Sequence, residues 1–183
     1  TDKNGNVTRY DYDARGNVIA KTDAAGKWTG ITYDAQNNPL SRTDALGRVT
    51  AFSYDANGNL VQTLDPLGQT SGVSYDARGL PLTLTDTLGR VTQYAYDAQG
   101  NRIQVIDPAG QTRSATFDGV GRALTRTDVL GRVTTFTYDG SDNLLTVTDP
   151  AGGVLAYEYD ANDNRTRTTN PNGQVTVYVY DEK

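Results

Sequence analysis

An aromatic residue followed by aspartate returns every 21 residues along the whole chain, and no insertion or deletion disturbs the spacing. Tyr12-Asp13, Tyr33-Asp34, Tyr54-Asp55, Tyr75-Asp76, Tyr96-Asp97, Tyr138-Asp139, Tyr159-Asp160 and Tyr180-Asp181 fill eight of the nine slots, and Phe117-Asp118 fills the other. A strict period of this length marks a repeat architecture, in which each unit buries its apolar face mainly against its neighbours. The 183 residues make eight full units and 15 residues of a ninth. Residues 1–183 are therefore expected to be one continuous array. Because the chain starts and stops inside a unit, it is expected to be a segment of a longer one. Function is then to be sought in a surface or an enclosure.

With columns counted from Thr1, two positions in each unit carry turn chemistry. Column 2 is aspartate in eight rows, from Asp2 and Asp23 to Asp149, with Asn170 in the ninth. Column 5 is glycine in every row: Gly5, Gly26, Gly47, Gly68, Gly89, Gly110, Gly131, Gly152 and Gly173. Aspartate at the first position and glycine at the fourth favour a type I turn, the glycine supplying a left-handed residue before the next strand. Columns 13 to 16 repeat the device in Asp13 to Gly16, Asp55 to Gly58, Asp76 to Gly79, Asp97 to Gly100 and Asp118 to Gly121. Asn37, Asp142 and Asp163 replace that glycine in three rows, and these types tolerate positive φ better than other side chains. Each unit thus carries two reversals.

Columns 6 to 12 and 17 to 22 lie between the turns, long enough for strands and too short for helices. All twelve Tyr and all three Phe fall in columns 10 or 12, which share a face because strand side chains alternate. Column 19 is their expected apolar partner on the return strand: Ile19, Leu40, Val61, Leu82, Ile103, Leu124 and Leu145. The expected fold is all-β, an antiparallel meander of 21-residue β-hairpins forming a curved or spiralling sheet. A weaker period of 42 overlies it, visible in the LGRVT run at 46–50, 88–92 and 130–134 and in Asp-Pro at 65, 107 and 149.

Composition removes several function classes. A formal net charge of −5 lacks the basic footprint of a nucleic-acid binder. No apolar run reaches the length of a membrane-spanning helix. With no Cys and no His, disulfides, thiolate chemistry and the commonest general base and metal ligand are missing. No nucleophile–base pair emerges, so neither a catalytic site nor a cofactor is expected.

The Y-D-a-x-G-N-l and T-D-x-x-G-r-v-T steps in a 21-residue frame resemble the YD repeats of the Rhs family, and the resemblance covers the whole chain. It implies a β-sheet strip that spirals into a hollow shell. In bacterial Rhs toxins and the related insecticidal toxin-complex proteins that shell encloses a C-terminal toxic domain, and in teneurins a similar shell serves adhesion. The family's DPxGL core motif is absent. DPLGQ at 65–69 and DPAGQ at 107–111 lie inside ordinary repeats and read as turns.

Two chemistries compete with a structural role. The aspartates invite calcium, but that ion needs six to eight converging oxygens and each turn offers one carboxylate. The aromatic stripe could stack sugars, or be the packed face of the sheet, where cross-strand pairs contribute about 0.2–1 kcal/mol each. Trp28 stands in a column usually held by Val, facing away from the stripe, where it could mark a contact patch. Arg48, Arg90 and Arg132 recur every 42 residues and are expected to pair with nearby carboxylates. The resemblance implies a non-enzymatic shell segment that shields a C-terminal toxin or effector, in a secreted or cell-surface bacterial protein. Its partners would be the rest of the shell and the enclosed polypeptide, with self-association through open sheet edges. The alternative is a surface-exposed adhesion module that binds glycans or another cell-surface protein.

Overall fold

The computed structural model describes Lys3, Gly5 and residues 7–181; the column 2 residue Asp2 lies outside them. Among the described residues there are seventeen strands and no helix. Two compact units divide the chain at Thr92/Gln93, within the ninth strand, and the 21-residue period runs on through the division.

The first unit carries β1 (Arg9–Tyr12), β2 (Val18–Thr22), β3 (Trp28–Tyr33), β4 (Pro39–Thr43), β5 (Val49–Tyr54), β6 (Leu60–Leu64), β7 (Thr70–Tyr75) and β8 (Pro81–Thr85). Consecutive strands pair antiparallel, from β1–β2 to β7–β8. Most of β9 (Val91–Tyr96) belongs to the second unit, with β10 (Arg102–Ile106), β11 (Thr112–Phe117), β12 (Ala123–Thr127), β13 (Val133–Tyr138), β14 (Leu144–Thr148), β15 (Val154–Tyr159), β16 (Arg165–Thr169) and β17 (Val175–Val177). There too every pairing joins sequence neighbours, from β9–β10 to β16–β17.

The strands are one residue shorter at the start than the columns suggested, spanning columns 7 to 12 and 18 to 22. Columns 6 and 17 belong to the turns. In the Asp13–Gly16 turn Asn17 donates its N–H to the Asp13 carboxylate and accepts the Asp13 N–H at its carbonyl. The backbone polar groups of that residue are spent on the turn and are not available to a ladder.

Each long strand meets its return strand through a β-bulge. Asp11 pairs with Ala20 and Tyr12 with Val18, so Ile19 is the extra residue; the same shift recurs at Leu40, Val61, Leu82, Ile103, Leu124 and Leu145. A bulge opposes two residues to one and adds twist. Column 21 then lies directly opposite column 10, as in Tyr10–Lys21 and Phe136–Val147, so columns 8, 10, 12, 19 and 21 share the aromatic face.

Burial is shallow on both faces. Among the described residues the one buried apolar side chain is Ala20, and the aromatic residues of columns 10 and 12 are mostly half-buried. A side chain here is covered by its neighbours on the same face and the hairpins beside it, which is how a repeat array builds its packing.

Candidate functional site

The Tyr-Asp turn is the unit from which both surfaces are built. In Asp55–Asn59 the Asp55 carboxylate accepts the N–H groups of Asn57 and Asn59 on Oδ1 and the Asn59 side-chain amide on Oδ2, each at 2.9 Å. The Gly58 N–H closes the turn on the Asp55 carbonyl at 3.1 Å, with Gly58 at φ 84°. Asp13, Asp34, Asp97, Asp139 and Asp160 form the same clasp with Asn17, Asn38, Asn101, Asn143 and Asn164. Asp76 accepts the backbone of Leu80 and the side chain of Arg78, and Asp118 accepts the side chain of Arg122.

The column 2 turns use the same geometry, and in three of them an arginine is the clasp. Arg48, Arg90 and Arg132 each reach back to the aspartate of their own turn, Asp44, Asp86 and Asp128, through Nε at 2.7 Å. Gly26, Gly47, Gly68, Gly89, Gly110, Gly131 and Gly152 close these turns with φ between 76° and 86°. Asn170 inverts the polarity: its amide N–H donates to the side-chain oxygen of Gln174, while its own oxygen accepts the N–H groups of Asn172 and Gln174. An acid is therefore paired with a donor, and an amide with an acceptor.

At many of these turns the donors hold the carboxyl below the usual carboxylate range. The side-chain amide four residues on is the main cause for Asp13, Asp34, Asp55, Asp97 and Asp160. The backbone N–H at that position is the main cause for Asp44, Asp76, Asp86 and Asp118. The Arg132 side chain leads at Asp128. At Asp139 partial burial pushes upward, and the Asn143 donors outweigh it. A carboxylate saturated by its own turn has little left to offer a cation, and the two sets of aspartates lie at opposite ends of the strands.

Successive hairpins are joined by side chains as well as by ladders. The phenolic O–H of Tyr33 donates to the Val18 carbonyl of the preceding unit at 3.1 Å, and Tyr75, Tyr159 and Tyr180 do the same to Leu60, Leu144 and Arg165 at 3.0 Å. Burial pushes the Tyr159 phenol up. Where column 16 is not glycine, its side chain accepts a bond from column 17 one unit earlier: Asn17 to Asn37, Arg122 to Asp142, Asn143 to Asp163. Those three residues are the non-glycine positions of positive φ among the described residues.

The two faces differ in chemistry. On the aromatic face cations lie over rings: Arg102 over Tyr94, Arg126 over Phe136, and Arg165 over both Tyr157 and Tyr178. At the end of the Tyr138 strand, Arg122 lies over that ring at 4.9 Å while clasping Asp118. On the opposite face, columns 11 and 20 meet as hydroxyl pairs, Thr32–Ser41, Ser74–Thr83, Thr116–Thr125 and Thr137–Thr146, at 2.6–2.7 Å. Glu158 and Arg167 replace the hydroxyls with an ion pair at 3.1 Å. Trp28 lies on this second face and folds flat over Gly30, where any Cβ would enter its ring. The indole thus covers its own sheet.

Sequence reasoning located the turns, the aromatic columns and the arginine clasps. It missed the tyrosine O–H bonds and the column 16–17 ladder, for which the co-occurrence of Asn17 with Asn37 and of Asn143 with Asp163 was the available signal.

A family model described as RHS Repeat matches residues 1–27, 33–70, 75–112, 117–154, 138–175 and 159–183. A search of curated proteins finds no match. Among solved structures, TcdB2-TccC3 without its hypervariable C-terminal region aligns over 96% of this chain at 17% identity with a TM-score of 0.62. A Tc holotoxin pore of Photorhabdus luminescens with a mutated TccC3 aligns over 96% at 17% identity with a TM-score of 0.51. The chain spans about 12% of the length of either structure.

Proposed function

This chain belongs to the RHS repeat family, and we propose that it is a length of β-shell wall that encloses and shields a polypeptide cargo, a C-terminal toxin or effector of a secreted or cell-surface bacterial protein. The observation that carries this reading is the hairpin meander that runs through each of the two units. Ladder, tyrosine and column 17 bonds all run from one unit to the next, which is the bonding of a wall rather than of a closed core. The aspartates that could have suggested metal or acid–base chemistry are engaged by their own turns. The likeness to the TcdB2-TccC3 fold supports the shell architecture.

In this reading residues 1–183 are one continuous stretch of wall, and the Tyr-Asp and Asp-x-x-Gly residues are its structural determinants. The action is physical: a wall keeps an unfolded segment from proteases and from the surrounding solution. The test is limited proteolysis of the parent protein and of this chain mixed with the same cargo region. The cargo region survives in the parent and is digested beside the isolated chain. Equal digestion in the two would overturn the reading.

A surface-adhesion role draws on the exposed rings of Tyr10, Tyr12 and Trp28, at 47%, 59% and 47% exposure. Glycan binding that falls on replacing Tyr10 and Tyr12 would favour it over shielding.

A further inference from the structure

Charge is segregated in this acidic chain. Apart from Asp11 and Glu158, both in column 11 on the hydroxyl face, no carboxylate of the described residues sits in a strand; the others lie in the turns and near the C-terminal end. Arginine and lysine do enter the strands, and six of them stand on the aromatic side: Lys21, Arg42, Arg102, Arg113, Arg126 and Arg165. The aromatic side is thus cationic although the formal charge of the chain is −5.

In the second unit three of these residues converge. Arg102, Arg113 and Arg126 border an open groove of about 1030 Å³ over β10, β11 and β12. Its floor is apolar, made by Ile103, Val105, Ala115 and Phe117. Ala115 opens the depression, since the same column holds Tyr94 and Phe136 in the flanking units. Arg126 stands directly opposite Ala115 across β11–β12, and Arg113 is two residues from Ala115 on the same side of β11, a diagonal neighbour within reach of a common ligand.

None of the three guanidinium groups has an ion-pair or hydrogen-bond partner among the described residues. Arg102 and Arg126 only stack on Tyr94 and Phe136, which occupies the plane of the guanidinium and leaves its N–H edge open. The arginines elsewhere in the turns are paired: Arg132, at the rim of this groove, clasps Asp128. The groove also has Asp149 at its border, whose Oδ1 accepts the N–H groups of Ala151 and Gly153. With Arg132 and the two acids included, the lining remains net positive by two charges.

We infer that this groove binds an acidic, apolar-bearing polypeptide segment, whose carboxylates meet Arg102, Arg113 and Arg126 while an apolar side chain enters the depression over Ala115. Open guanidinium forks suit carboxylates in bidentate geometry. A nucleic acid would need a basic stripe along its backbone, whereas this patch is short and flanked by acidic turns. In naming the chemistry of the cargo, the inference rests on the shell reading and turns the aromatic face toward the enclosed chain. Its test uses this chain alone, so a failed titration and failed protease protection are separate outcomes.

The experiment is a fluorescence-anisotropy titration with a labelled peptide of alternating Glu and Leu, its Lys-for-Glu counterpart, and a single-stranded oligothymidylate of matched length. The Glu peptide binds, and binding weakens as salt is raised. Each of Arg102→Gln, Arg113→Gln and Arg126→Gln weakens it about two- to fivefold, as for an exposed charge pair, and the triple variant at least about tenfold. Ala115→Glu supplies a carboxylate inside the groove and abolishes binding while keeping the far-UV circular dichroism of the parent, which covers the case of a triple variant that fails to fold. Equal binding of the Lys peptide, tighter binding of the oligothymidylate, or undiminished binding by Ala115→Glu would overturn the inference.

Discussion

Gly58 and Asn37 occupy the same position of successive turns, at φ 84° and 69°, and they settle the cost of that conformation differently. Glycine adopts it freely. Asn37 accepts an amide bond from Asn17 of the preceding unit at 2.7 Å, and Asp142 and Asp163 accept equivalent bonds from Arg122 and Asn143. A residue that strains the turn thus joins two hairpins. A Cβ at Gly58 would lie 4.0 Å from the Asn38 amide nitrogen, which has one N–H engaged by Asp34. Gly58→Asn can therefore copy the Asn17–Asn37 pair, whereas Gly58→Ala adopts the left-handed conformation with nothing in return. Urea unfolding should place Gly58→Ala about 1–2 kcal/mol below the parent and Gly58→Asn nearer to it. Equal losses for the two variants would show that the side-chain bond contributes nothing.

At the scale of the hairpin, the parts that repeat at a fixed column were readable from the residues alone. Asp and Gly three apart fix the turns, and the confinement of Tyr and Phe to columns 10 and 12 fixes the aromatic face. The bulge was not readable, because Ile19 and Lys21 keep ordinary alternation and the extra residue appears only as a shift of partner between Asp11 and Tyr12. The tyrosine O–H bond was hidden for a similar reason: a stripe of rings explains the column without its hydroxyls. Phe117 occupies the slot without a hydroxyl, so the ring suffices for the fold and the O–H adds a bond between units. Tyr75 donates to the Leu60 carbonyl at 3.0 Å, while Tyr54 makes no such bond among the described residues. Tyr75→Phe should cost about 1 kcal/mol, the net worth of a half-buried hydrogen bond, and Tyr54→Phe should leave the urea midpoint close to the parent's. The pair serves as its own control, since both changes remove one hydroxyl from the same column. Equal costs would remove the hydroxyl from the account of inter-unit cohesion.

Over the described residues, acidity is gathered in the turns while the charged side chains on the aromatic side of the strands are all basic, a division that the net charge of −5 conceals. Strand parity alone puts the basic residues of columns 8 and 21 on that side, whereas Arg102 and Arg165 of column 18 reach it only through the bulge. The same division makes stability depend on pH in one direction. Several turn aspartates titrate lower in the folded chain than their ordinary values, held there by side-chain amides at Asp13, Asp55 and Asp160 or by backbone N–H groups at Asp44, Asp76 and Asp86. A carboxyl whose folded value is depressed binds fewer protons folded than unfolded as acid is added. Its contribution is fully present above the unfolded value of about 4 and is lost as pH falls through the folded value. With no His in the chain, no side chain with an ordinary pKa between 5 and 8 competes with this trend. The urea midpoint should therefore stay level from pH 7 to pH 5 and fall steeply below about pH 4, at constant ionic strength. Asn170 and Gln174 supply the control, a turn of the same geometry without a carboxylate. Carrying that pair into one unit as Asp55→Asn with Asn59→Gln should preserve the midpoint at pH 7 and make the acid limb shallower. A midpoint that drifts between pH 7 and 5, or an acid limb as steep in the double variant as in the parent, would mean that the clasped carboxylates do not set the acid stability of the array.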